Sequence, residues 1–215
     1  MIFTSFFWDF DGTLYNTYPG MARALQKALL EYGIEAPTDE IHRRMKITLR
    51  DACVRYCLEH PRSGATPEAL EARFAVYNEQ ESLAMRPYPG AREMLRAVIS
   101  GGGRNYLFTH RAKTLLPALE REVIADLFSD MVTASDHFAR KPSPDALLYL
   151  IQKHGLHRAD CCMVGDREID LGSAKGARIS RVLFDPEGYM DPNMDVPWRF
   201  VSMDDMRKAL CGKGD

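Results

Sequence analysis

Beyond Gly90 the chain alternates short β-favouring runs with longer helical ones, and this alternation constrains the fold more than any other feature. The reading is helix 91–100, strand 104–109, helix 112–126, strand 131–134, helix 144–154, strand 161–165, helix 170–176 and strand 180–184, with a last strand near Phe200. Strands and helices taken in turn argue for a parallel sheet covered on both faces. Residues 2–8 are rich in aromatic and β-favouring side chains and run straight into Asp-Phe-Asp-Gly-Thr. They read as a buried first strand ending in a polar loop. The expected class is α/β, with a Rossmann-like parallel core.

Between that loop and Arg86 the texture becomes helical. Met21, Leu25, Ala28, Leu29 and Tyr32 share one helix face and stop at Gly33. Thr38 reads as the cap of a short second helix, Thr48 with Asp51 as a capping pair for a third, and Thr66-Pro67-Glu68 as the start of a fourth. Arg86-Pro87-Tyr88-Pro89-Gly90 forbids a continuing helix and reads as a return hinge. The expected organisation is a core of residues 1–14 and 86–215, with residues 15–85 inserted as a helical cap.

Composition removes several classes of function. With 28 basic and 30 acidic residues the formal net charge is −2, so no general positive field awaits a phosphate backbone and no nucleic-acid partner is expected. The apolar opening run is shorter than the roughly 18 residues of a span and has no basic leader, so no membrane association is expected. Five cysteines, an odd number, fit reduced thiols in a cytoplasmic protein. Cys53, Cys57 and His60 lack an evident fourth zinc ligand and read as packing. Gly101-Gly102-Gly103 lacks the Lys-Ser/Thr of a phosphate-binding loop and reads as a helix stop. Gly172 and Gly176 read as close packing of a helix on the sheet.

In a parallel α/β sheet, ligands bind beyond the carboxyl ends of the strands. Standing there are Asp9 and Asp11 after the first strand, Thr109, His110 and Arg111 after the second, and Lys141 beyond the third. Asp166, Glu168 and Asp170 follow the fourth. Carboxylates converging from two strands make a hard oxygen site suited to Mg²⁺, which also reduces their repulsion and admits an anionic phosphate. A hydroxyl and an ammonium suit phosphate oxygens.

Four motifs occur in order along the core: Asp9-Phe10-Asp11-Gly12-Thr13-Leu14, Leu107-Phe108-Thr109-His110-Arg111, Lys141-Pro142, and Gly165-Asp166-Arg167-Glu168-Ile169-Asp170. The set resembles the haloacid dehalogenase superfamily of phosphohydrolases, in the branch with a helical cap after the first motif, and is similar to phosphoglycolate phosphatases. The resemblance implies that Asp9 is a nucleophile taking the phosphoryl group as an aspartyl phosphate, and that Asp11 is the acid/base. It implies that Thr109 and Lys141 hold the phosphoryl oxygens. Mg²⁺ would be held by Asp9, the Asp11 backbone carbonyl and Asp166, with Asp170 close by. Gly12 would permit the turn that aims both aspartates. The implied partner is a small phosphorylated metabolite, phosphoglycolate-like or a sugar phosphate, and the implied state is a monomer or homodimer.

The chain also departs from the family pattern. His110 and Arg111 follow the threonine where Asn or Ser is frequent, and Arg167 stands where a small hydroxyl residue is common. These groups either help bind an acidic substrate or pair with Glu168. Residues 46–51 resemble the stretch that in capped relatives reaches over the substrate, which makes Lys46 and Arg50 candidate substrate contacts, although Lys46 replaces a glycine common there. Asp11 argues against dehalogenases and phosphonatases, which lack it. The alternatives are a β-phosphoglucomutase-like phosphotransferase, opposed by Met21 where those mutases carry a cap histidine, and a non-catalytic regulatory or interaction protein.

Overall fold

The computed structural model describes residues 1–212. Six strands form one parallel sheet: β1 (Ser5–Trp8), β2 (Arg104–Phe108), β3 (Phe128–Val132), β4 (Cys161–Gly165), β5 (Ser180–Phe184) and β6 (Trp198–Phe200). Their spatial order is β3-β2-β1-β4-β5-β6. β1 lies inside the sheet and all four of its residues are buried, as a strand covered on both faces requires. Trp8 is in register with Leu107 of β2 and Val164 of β4, so the carboxyl ends of these three strands finish side by side. The chain is α/β, as its alternation implied.

Helices follow as α1 (Tyr18–Leu30), α2 (Thr38–Met45), α3 (Leu49–Glu59), α4 (Pro67–Ser82), α5 (Ala91–Ser100), α6 (Leu116–Arg121), α7 (Asp145–Lys153), α8 (Glu168–Ala177) and α9 (Met203–Cys211). The chain divides into two compact units, Met1–Tyr15 with Pro87–Asp215, and Asn16–Arg86. In the first, Phe7, Tyr106 and Met163 from the sheet pack with Leu147 and Leu150 of α7 and Ala174 of α8. In the second, α1 to α4 enclose their own core of Leu25, Leu29, Ile41, Cys53, Tyr56 and Leu70. Cys53 is therefore a packing residue, and all five cysteines are free thiols. No described helix is long and apolar enough to cross a membrane.

Several local expectations change. In place of one helix over 112–126, α6 is confined to six residues between 3-10 turns at Lys113–Leu115 and Ala125–Leu127. Pro117 favours a helix start there, and Val123 adopts a φ of 54°, which ends helical geometry. β3 begins at Phe128 rather than 131 and ends at Val132, because Thr133 and Asp136 cap the 3-10 turn that follows. Thr48 and Thr66 do cap their helices, accepting from Asp51 N–H at 2.9 Å and Ala69 N–H at 3.2 Å. Thr38 does not: it is the first residue of α2, and the cap position is Pro37 in extended geometry. Gly172 and Gly176 meet Pro142 and Pro144, so their close packing is against the loop that follows Lys141 rather than against the sheet.

Candidate active site

The site forms where β1, β2 and β4 end together. Asp9 directly follows β1 and stays tied to the sheet, its N–H donating to Val164 O at 2.9 Å. The chain then turns back at once: Leu14 and Tyr15 N–H donate to Phe10 O, and Gly12 N–H donates to Tyr15 O at 2.8 Å. Gly12 has a φ of 78°, the left-handed geometry that a side chain resists. Phe10 is buried and stacked on Tyr15 with 4.4 Å between ring centroids, so an aromatic anchor sits between the two aspartates. Thr109 follows β2, donates its N–H to Val132 O at 3.0 Å and accepts Arg111 N–H on Oγ1 at 3.1 Å. Asp166 follows β4, and Thr13 Oγ1 lies 3.4 Å from its Oδ1.

Lys141 links two of the carboxylates. Its Nζ is 2.6 Å from Asp9 Oδ1 and 2.6 Å from Asp170 Oδ1, fully buried, and 4.6 Å from the centroid of Phe108. Burial works against the Lys141 charge, but Asp170 and Asp9 outweigh it, and the ammonium pKa lies above its usual value. Burial pushes the Asp9 carboxyl up to about 7, with Lys141 opposing the shift and Asp170 adding to it. Asp9 Oδ2 is buried without a hydrogen-bond partner. Such an atom is costly unless something binds it. Asp9, Asp166 and Asp170 each offer an oxygen within 4.8 Å of the others, and all three are buried. An orphaned carboxylate oxygen within an all-oxygen donor set fits a hard divalent cation.

Two residues act differently from their simplest reading. His110 Nε2 accepts the Lys141 backbone N–H at 2.7 Å, and Arg140 Nη2 lies 3.3 Å from its Nδ1. Burial, reinforced by Lys141 and Arg140, pushes the imidazole down to about 3, so the ring is a neutral acceptor. Arg111 pairs with Asp11 through Nη2 at 2.6 Å and Nε at 3.1 Å. Arg167 Nε is 3.9 Å from Asp166 Oδ1, while the Arg167 N–H donates to Asp170 Oδ2 at 3.2 Å. Glu168 opens α8 in its first turn. The Asp11–Arg111 and His110–Lys141 contacts are not legible from spacing. The one hint is a His-Arg pair set at a strand end after a threonine.

Within the Asn16–Arg86 unit, Lys46 is buried with Nζ 4.6 Å from the Tyr18 ring centroid, and Tyr18 stacks on His42. Arg50 is exposed at the start of α3 and pairs with Glu68 and Glu71 of α4. Met21 packs against the core of the same unit.

Residues 6–184 match a family described as haloacid dehalogenase-like hydrolase. The chain is 28% identical over 215 residues to a phosphoglycolate phosphatase of Pseudomonas putida, covering 96% of this chain and 78% of that one. It is 32% identical over 188 residues to a phosphoglycolate phosphatase of Rhodospirillum rubrum, covering 81% and 76%. The crystal structure of a predicted phosphoglycolate phosphatase from Haemophilus somnus 129pt shares the fold, with a TM-score of 0.80 at 23% identity over 97% of this chain and 98% of that one.

Proposed function

Since the chain belongs to the haloacid dehalogenase-like hydrolase family, we propose that this phosphatase hydrolyses a small phosphomonoester, phosphoglycolate or a sugar phosphate, through an aspartyl phosphate on Asp9. The observation that carries the reading is Asp9 itself, buried beside Asp166 and Asp170 with one oxygen on Lys141 and the other without a partner. The names of the curated relatives support the substrate class.

In the first step an Asp9 oxygen forms a bond to phosphorus while the bond from phosphorus to the ester oxygen breaks. Asp11, carrying one proton, gives it to the departing alkoxide, so an alcohol leaves and Asp11 becomes a carboxylate. In the second step water attacks phosphorus and Asp11 takes its proton. The bond between phosphorus and Asp9 breaks, phosphate leaves, and both aspartates return to their starting forms. Thr109 and Lys141 face the phosphoryl oxygens, where a hydroxyl and a buried ammonium stabilise developing charge. Asp9, Asp166, Asp170 and the Asp11 carbonyl are the groups that would hold Mg²⁺. The ion, when bound, screens the carboxylates and neutralises charge on the phosphoryl group.

A panel of phosphorylated metabolites, assayed for phosphate release with Mg²⁺ and after EDTA, tests the reading. Release that depends on Mg²⁺ is expected. Full activity after rigorous metal removal, or no release from any phosphomonoester, contradicts it.

A further inference from the structure

Both oxygens of Asp11, the group assigned to carry the proton, are held by one side chain. Arg111 Nε lies 3.1 Å from each oxygen and Nη2 lies 2.6 Å from Oδ1. The guanidinium is itself held in place. The Arg111 side chain is only 12% exposed, its guanidinium centre is 5.6 Å from the Phe10 ring centroid, and the Arg111 backbone N–H donates to Thr109 Oγ1 at 3.1 Å. A guanidinium keeps its charge at any working pH. Burial opposes that charge, and Asp11 more than restores it. Moving Asp11 onto a leaving group therefore breaks a largely buried two-oxygen ion pair, which is unfavourable unless another anion takes the place of Asp11.

We propose that Arg111 sets substrate choice by exchange: it holds Asp11 in the free enzyme and trades it for a second anionic group on the alcohol side of the substrate. This rests on the aspartyl-phosphate reading above and narrows its substrate class to phosphomonoesters of hydroxy acids or compact bisphosphates. One anion replaces another on Arg111, so charge at the guanidinium balances. The freed Asp11 carboxylate takes one proton from solvent, gives it to the departing alkoxide, and returns to solvent the proton it later takes from water when Arg111 holds it again. Asp11 is then released to the ester oxygen. A carboxylate one carbon away from that oxygen lies within a side chain's reach of the place Asp11 vacates. The planar fork of an arginine matches a carboxylate or a phosphate through paired hydrogen bonds. A substrate with a neutral alcohol portion leaves Arg111 on Asp11 and forfeits acid assistance.

The test compares kcat/KM for phosphoglycolate and for 2-hydroxyethyl phosphate, which has similar size but no carboxylate, in wild type, Arg111→Gln and Arg111→Lys. Wild type should prefer phosphoglycolate by about 10- to 100-fold, the range of a charge-assisted bidentate contact. Arg111→Gln should bring the ratio to within about threefold of unity, and Arg111→Lys, a point charge without the fork, should fall between. A merely structural role lowers both substrates together and leaves the ratio intact. An unchanged ratio in Arg111→Gln, or no preference in wild type, overturns the exchange. Should Arg111→Gln fail to fold, a full wild-type ratio in Arg111→Lys overturns it equally. Failure of the underlying reading looks different: wild type then hydrolyses no phosphomonoester, p-nitrophenyl phosphate included.

Discussion

His110 accepts a backbone N–H from Lys141, so the residue next to Thr109 also fixes the loop that carries the buried Lys141 ammonium. His110→Leu leaves that N–H without its acceptor, at a cost of about 1–3 kcal/mol, whereas the amide oxygen of His110→Gln can replace the ring nitrogen. Denaturant unfolding and kcat of the two variants should therefore separate, with Gln near wild type and Leu impaired in both. Equal behaviour contradicts a positioning role. The same ring gives stability a pH dependence. Its pKa is about 3 in the folded protein and about 6.5 when free, so between those values the unfolded chain binds the extra proton. Stability from this group falls as pH drops below about 6.5, and the difference should vanish in His110→Gln. Asp9 yields a second pH prediction. With its pKa raised to about 7 by burial, a proton competes for the oxygens that would hold Mg²⁺. Calorimetric Mg²⁺ affinity should weaken as pH falls below about 7, approaching tenfold per pH unit. Affinity unchanged from pH 8 to 6 contradicts that ligand assignment.

Gly165 and α8 show how one element shapes the acidic cluster. A Cβ on Gly165 would stand 2.2 Å from Asp170 Cβ and 2.5 Å from its Cγ, too close for any side chain to yield at its tip. Gly165→Ala should cost about 1–3 kcal/mol by overpacking and displace Asp170 from Lys141, lowering both the unfolding midpoint and activity. Wild-type stability would show that β4 and α8 are less tightly seated than this geometry requires. At this scale the sequence was legible where apolar runs were bounded by polar loops, and β4 and β5 fall on the expected residues 161–165 and 180–184. It was least legible over 112–136, where Pro117, the positive φ of Val123 and the Thr133–Asp136 cap decide the path. Spacing marked Gly172 and Gly176 as contact points, but only the fold shows that a Cβ on them would stand 2.8 Å from Pro142 and 3.0 Å from Pro144.

Across the whole molecule, two units with separate cores imply that damage to one need not spread to the other. Leu25→Ala, in the core of Asn16–Arg86, should cost about 2–5 kcal/mol there. Hydrogen exchange should then speed for α1 and α4 amides while those of β1 and β4 keep their protection. Equal loss in both units contradicts this division. The carboxylates were legible because their motifs stand in order at strand ends. Their partners were not, since Arg111 reaches Asp11 across 100 residues and His110 reaches Lys141 across 31 only once β2 lies between β1 and β3. The central claim, covalent transfer to Asp9 with proton transfer by Asp11, is tested most directly by rapid-quench labelling with an activated aryl phosphate. Wild type and Asp11→Asn should carry acid-stable label, with Asp11→Asn turning over at least about a hundredfold more slowly. Asp9→Asn should carry none. Label trapped on Asp9→Asn, or near wild-type turnover in Asp11→Asn, would contradict the account.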